Sequence, residues 1–201
     1  MDIEKERRAE LIEILGKNFR CYEEVRLRHA LFGRRVLRAD VIAVPVEGEF
    51  SGVPIAFEVK QPAYNQQFKF WIYALRQAAD YVYGRIEPQL RTADSLPIGR
   101  RVAAAFIFPA PHISDFGLDG GTDPLLGAAT LALHYRVGQV RPSRRNEKIF
   151  SLAFANNEIW QADRGFNRTA VQFLDGRFPL GAGAVNAIDE LDLPDRRRDV
   201  L

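Results

Sequence analysis

The sequence predicts a mixed α/β (α+β) fold, ordered helix, three strands, helix, strand, with a C-terminal extension. Three observations carry that expectation. Apolar residues recur at helical spacing in residues 3–17 and again in 66–83. Strand-type runs bounded by turn residues lie between those two segments. A continuous apolar run, Val102 to Phe108, follows the second helix and has the composition of a strand buried on both faces.

The first helix, residues 3–17, carries Leu11, Ile14 and Leu15 as its apolar stripe, with Ile12 beside it and Gly16 or Asn18 as its stop. Phe19 to Leu27 reads as the first strand, because Phe19, Cys21, Val25 and Leu27 alternate with polar residues. His29 to Arg35 reads as a turn, which makes His29 a surface residue with no chemistry. The next two strands form a hairpin: Arg38 to Val46, a Gly/Ser-bearing turn from Glu47 to Gly52, then Val53 to Lys60. Pro45 and Pro54 place its irregularities near the turn, since proline donates no ladder bond. In the second helix Phe68, Ile72, Leu75, Ala79 and Val82 form the expected buried stripe, and Gly84 ends it. Residues 88–99 read as a polar loop, and Arg101 to Phe108 as the central strand.

Beyond residue 108 the signal is weaker. Residues 109–124 are rich in Gly, Pro and Asp and read as loop; His112, Asp115, Asp119 and Asp123 have no spacing that closes a metal site. Residues 125–135 suit a short helix or strand. Ile149 to Ala155 and Glu158 to Ala162, joined by Asn156 and Asn157, read as a hairpin, and residues 165–178 as a strand or short helix. The expected organisation is a core over residues 1–108 and an extension over 109–201 packed on it.

The chemistry concentrates on the first hairpin. One register sets Asp40 directly opposite Glu58, with Cβ atoms roughly 5 Å apart, and puts Lys60 on the same face. An odd register separates the two acids and excludes a site. Two carboxylates that close repel unless a cation lies between them. A hard divalent ion suits the place, since Mg²⁺ takes one or two carboxylates plus water and substrate phosphate.

Asp40…Glu58-Val59-Lys60 resembles the core motif of the PD-(D/E)xK nucleases, and the resemblance covers residues 1–108. Ala39 stands where the family often has proline. Gln77-x-x-x-Tyr81, following on the second helix, resembles the RecB-like, Holliday-junction-resolvase-like branch. The resemblance implies a restriction-endonuclease-like core and Mg²⁺- or Mn²⁺-dependent hydrolysis of DNA, branched or single-stranded, by a chain compatible with a homodimer. It implies Asp40, Glu58, the Val59 carbonyl and Glu10 as metal ligands, with Glu6 the alternative to Glu10. Lys60 and Gln77 complete the catalytic set. Tyr81, Arg34, Arg35, Arg38 and Lys69 are the expected nucleic-acid contacts. Two other readings stand beside it: an inactive DNA-binding or assembly module of the same fold, and an unrelated α+β structural protein of a phage or mobile element.

Composition narrows the setting. The 201 residues carry a net charge of +2, too small to announce nucleic-acid binding, although the arginines cluster locally. Cys21 is the single cysteine, so an internal disulfide is excluded and a thiolate metal site is not expected. No apolar run reaches transmembrane length and the first ten residues are charged, which suits a cytoplasmic protein without membrane contact.

Overall fold

The computed structural model describes residues 3–30, 36–61, 68–88, 95–109, 135–143, 149–154 and 157–174. Within them the chain is a mixed α/β protein built on one nine-stranded sheet, in the order β4-β1-β2-β3-β5-β6-β7-β8-β9. The first helix, α1, runs Ile3–Leu15 and gives way to a single 3₁₀ turn, Gly16–Asn18, at a glycine with φ +51. That left-handed conformation suits glycine, which has no Cβ to clash. β1 is Phe19–His29, β2 is Val36–Pro45 and β3 is Ile55–Val59. β1 pairs antiparallel with β2, and β2 antiparallel with β3. The turn between β2 and β3 bends at Gly48 and Gly52, both with φ +81.

α2 runs Phe68–Val82 and lies on the sheet face formed by Ile42, Ala56, Ala105 and Ile107. Leu11 and Leu15 of α1 join the core on the other face, with Phe57, Phe106, Phe108 and Phe154. β5, Ala104–Phe108, runs parallel to β3 and is buried along its whole length, as its apolar composition predicts. The sheet is therefore covered on both sides at its centre, which lets β5 remain apolar throughout and β3 apolar except at Glu58.

The structure departs from the sequence expectations in four places. A short strand, β4, Gly84–Ile86, pairs with the end of β1. It extends β1 to His29, which is 2% exposed, stacks on Tyr83 and lies 3.8 Å from Asp80. His29 is therefore a buried strand residue and not a surface turn residue. The buried stripe of α2 is Trp71, Ala74, Leu75, Ala78, Tyr81 and Val82, whereas Ile72 and Ala79 are only partly covered. The helix is thus rotated by most of one residue position from the expected phase, with Tyr81 turned inward. Finally, the C-terminal strands extend the same sheet. β6, Val137–Pro142, runs parallel to β5, and β7, Phe150–Phe154, pairs with β6. β8, Asn157–Gln161, forms the expected hairpin with β7; β9, Gly165–Phe166, and a short α3, Ala170–Leu174, follow.

The expectations for Arg34, Arg35, His112, Asp115, Asp119 and Asp123 fall outside the described residues, as does the side chain of Lys69. Among the described residues no helix is long and apolar enough to cross a membrane.

The join between β5 and β6 is tight. A Cβ added at Gly138 would sit 2.4 Å from Phe106 Cε1 and 2.6 Å from the Ala153 carbonyl oxygen. The second contact is backbone and cannot rotate away. Gly138→Ala is expected to destabilise the protein by about 2 kcal/mol or more through overpacking, read by urea unfolding. A variant as stable as the wild type would mean that β6 does not lie against β5.

Candidate active site

β2 and β3 pair through Val41–Phe57, Ile42–Ala56 and Ala43–Ile55. Carried one step further, this register sets Asp40 against Glu58, on the α2 face with Ile42 and Ala56. The ladder stops there for a local reason. The Lys60 N–H donates to the Phe108 carbonyl on β5 at 2.8 Å. The Val59 N–H, one residue earlier, points the opposite way, toward β2, and donates to Asp40 Oδ2 at 2.7 Å. A side-chain carboxylate thus takes the place of a backbone acceptor, which holds Asp40 at the mouth of the hairpin.

Glu58 is 1% exposed. Its Oε1 is in contact with Lys60 Nζ, and its Oε2 with the Tyr81 hydroxyl. The Tyr81 hydroxyl is also 3.0 Å from the Arg38 carbonyl oxygen. That hydroxyl has one proton and two acceptors in reach. Both contacts are satisfied together when Glu58 is protonated: Glu58 donates to Tyr81, Tyr81 donates to Arg38, and Oε1 still accepts from Lys60.

The electrostatics agree with this arrangement. Burial, and then the Asp40 charge, push the Glu58 carboxyl up to about 7, against the pull of Lys60 and Tyr81. Burial also raises Asp40, which the Val59 N–H and Lys60 partly counter. Burial pulls the Lys60 ammonium down, but Glu58 and Asp40 outweigh it and the net shift is upward. The Tyr81 phenol is held well above its ordinary value by burial and by Glu58. A charged lysine therefore lies beside two acids, of which Glu58 takes up a proton near neutrality.

The other expected residues are placed unevenly. Gln77 is exposed on α2 and does not join the acids. Residues four apart on a helix differ by about 40°, which is enough to turn Gln77 out when Tyr81 sits at the edge of the buried stripe. Glu10 is half-buried and ion-paired with Arg7, and Glu6 is exposed. The acid of α1 that bears on the site is Glu4, which raises Asp40, while Arg8 lowers it. The signal for both was present in the sequence: Glu4, Arg8, Leu11 and Leu15 follow helical spacing on one face, and Glu10 lies about 100° from Leu11. Arg38 is exposed at the rim. Cys21 is partly buried and its thiol is pushed up to about 11, so it stays protonated near neutrality.

The donor set suits a hard cation. Asp40, Glu58 and the Val59 carbonyl are all oxygen donors, and Mg²⁺ or Mn²⁺ needs only one or two carboxylates from a protein. Once Glu58 ionises, Glu4, Asp40 and Glu58 outnumber Lys60 and Arg8, and a cation would balance the added charge. Among the described residues no group of three His, Cys, Asp or Glu side chains is assembled for a metal. A cavity of about 620 Å³ lies at the turn end of the hairpin, between Phe50, Trp160 and Phe166, and Asp40, Glu58 and Glu4 do not line it.

The raised Glu58 has a consequence for stability. Its folded value exceeds the unfolded one, so between pH 4.5 and about 7 the folded state binds more protons. The stability that this proton confers is complete below pH 4.5 and is lost as pH rises through about 7. The loss reaches about 3 kcal/mol. In chelator-treated protein, Glu58→Gln is expected to gain on the wild type by about that amount from pH 4.5 to pH 8 in urea unfolding. Parallel pH profiles for the two proteins would remove the buried proton from Glu58.

No protein-family model, no curated protein and no solved structure matches the chain.

Proposed function

We propose that the protein is a metal-dependent nuclease of the PD-(D/E)xK type, with a restriction-endonuclease-like core, that hydrolyses phosphodiester bonds of DNA. One observation carries the reading. Asp40, Glu58 and Lys60, the three residues of the motif, meet at the mouth of one hairpin, with Lys60 Nζ on Glu58. The order of elements supports it, since α1, β1, β2, β3, α2 and β5 follow in the family's sequence, with β4 inserted.

Asp40, Glu58 and the Val59 carbonyl would hold Mg²⁺ or Mn²⁺, with Glu4 near enough to bias Asp40. When bound, such an ion polarises a phosphoryl oxygen and lowers the pKa of a water. The chain's own residues do the rest. As a ligand Glu58 would be ionised, its proton released to solvent, and Tyr81 would donate to Oε2 and fix the carboxylate's orientation. Lys60 is held charged by the two acids and stabilises negative charge that develops on the phosphate. The buried floor excludes water from the acids and strengthens each of these interactions.

A second reading, a nucleic-acid-binding module of the same fold without activity, has one observation in its favour. Both Glu58 oxygens already have partners in Lys60 and Tyr81, so a metal must compete for one of them.

Two experiments separate the readings. Lys60→Ala is expected to fold normally and to cleave more slowly by on the order of a hundredfold. The assay uses single-stranded, duplex and branched DNA, with RNA alongside, in Mg²⁺ and Mn²⁺. Unchanged turnover in the variant would dissociate this site from any activity seen. The second experiment needs no substrate. Mg²⁺ or Mn²⁺ at ten times its Kd is expected to stabilise the wild type by about 1.4 kcal/mol in thermal melts, and Asp40→Asn should lose most of that gain. Equal cation responses in both proteins would exclude Asp40 as a ligand.

A further inference from the structure

β1 carries one backbone irregularity, at Glu24. Its φ is +56, a left-handed conformation that is uncommon for a non-glycine residue. The ladder with β2 is otherwise continuous. Glu23 faces Val41 and Val25 faces Ala39, so Glu24 is the unpaired position beside Asp40. A residue held this way in mid-strand persists only where its surroundings over-determine it, and here two cations do so. Arg8 of α1 is in contact with Glu24 Oε1, and Arg38 Nη1 lies 2.8 Å from Oε2. Glu23 Oε2 is 3.8 Å from the same Arg8 nitrogen. Arg8 is mostly covered, with 14% of its side chain exposed, while Arg38 is 68% exposed. Arg38 is two residues from Asp40 along β2, and Arg8 is close enough to Asp40 to lower its pKa. Two guanidinium groups thus converge on one carboxylate at the edge of the acid pair.

We infer that Arg8 and Arg38, gathered by Glu24, form the anchor for a backbone phosphate of the nucleic acid next to the bond that is cut. The inference rests on the nuclease reading above and names positioning residues for it. A phosphodiester presents two non-bridging oxygens, much as a carboxylate does, and guanidinium groups fork around either. Each arginine meets Glu24 through one nitrogen, Nη1, and a guanidinium carries five N–H donors. Glu24, with Glu23 3.8 Å from Arg8, offsets the two arginine charges, so a phosphate competes with these carboxylates for the guanidinium N–H donors. Glu24 holds the two guanidinium groups together at the site. A purely structural staple between α1, β1 and β2 uses the same contacts but makes no demand on salt or on nucleic acid.

The test is binding of fluorescein-labelled single-stranded and duplex oligonucleotides, followed by anisotropy in chelator from about 50 to 200 mM salt. Arg8→Gln and Arg38→Gln are each expected to weaken binding roughly tenfold at the low end and to flatten the salt dependence by about one unit of slope. Arg38 is exposed, so its variant reads binding without a risk to folding, and Arg8→Lys should keep the wild-type slope. Glu24→Gln is expected to tighten binding and steepen the slope, because it leaves both arginine charges for the phosphate; loss of a staple would weaken binding instead. Cleavage in Mg²⁺ is measured in parallel. If the wild type binds and cleaves while Arg8→Gln and Arg38→Gln keep its affinity and slope, or if Glu24→Gln binds more weakly, the anchor is overturned and the nuclease reading stands. If the wild type neither binds nor cleaves any of the probes, the nuclease reading itself fails and takes the anchor with it.

Discussion

A buried carboxylate, Glu58, beside a half-buried one, Asp40, is the constraint to which this end of the molecule answers. Glu58 is 1% exposed and Asp40 is placed beside it by the register of β2 and β3. Isolated, such a pair is costly, because burial and mutual repulsion both disfavour the charged forms. Each neighbour removes part of that cost. The Val59 N–H satisfies Asp40, Lys60 balances one charge, Tyr81 partners the second Glu58 oxygen, and a proton near neutrality removes the rest. A fold selected only for stability would fill this place with apolar residues of similar volume, which is often neutral or stabilising.

The surrounding fold makes the arrangement rigid. β3 and β5 are parallel, buried along their length and covered on both faces, so Glu58 rises from the most constrained strand of the sheet. The aromatic packing of Phe57, Phe106 and Phe154 lies directly beneath, with Phe57 and Phe106 stacked at 5.7 Å. The irregular features collect at the edges of this frame instead. The ladder between β2 and β3 opens at Asp40, and β1 takes a left-handed residue opposite it. Regular strands hold the acids, and the irregular positions lie beside them.

The C-terminal strands bear on the same frame. β6 runs parallel to β5 and lies so close that Gly138 meets the ring of Phe106. β6 therefore supplies one wall of the strand pair that carries Glu58, and β6 to β9 continue the same sheet.

What the sequence determined by itself was local. Period-two and period-3.6 patterns identified α1, the hairpin and α2, and the continuous apolar run identified β5, because burial of a strand or helix face leaves its repeat in the chain. The convergence of Asp40, Glu58 and Lys60 was also legible, since a hairpin register is set by its turn and its apolar alternation. The tertiary structure decided what depends on partners far away in sequence. The phase of α2 followed from Tyr81 reaching Glu58 and the Arg38 carbonyl, which turned Gln77 outward. His29 was buried by β4, more than fifty residues later. The acid that α1 offers the site became Glu4 and not Glu10, because the packing of Leu11 and Leu15 fixed which helix face looks inward. Composition cannot reveal such choices, for each is made by a contact between segments whose own patterns allow more than one answer.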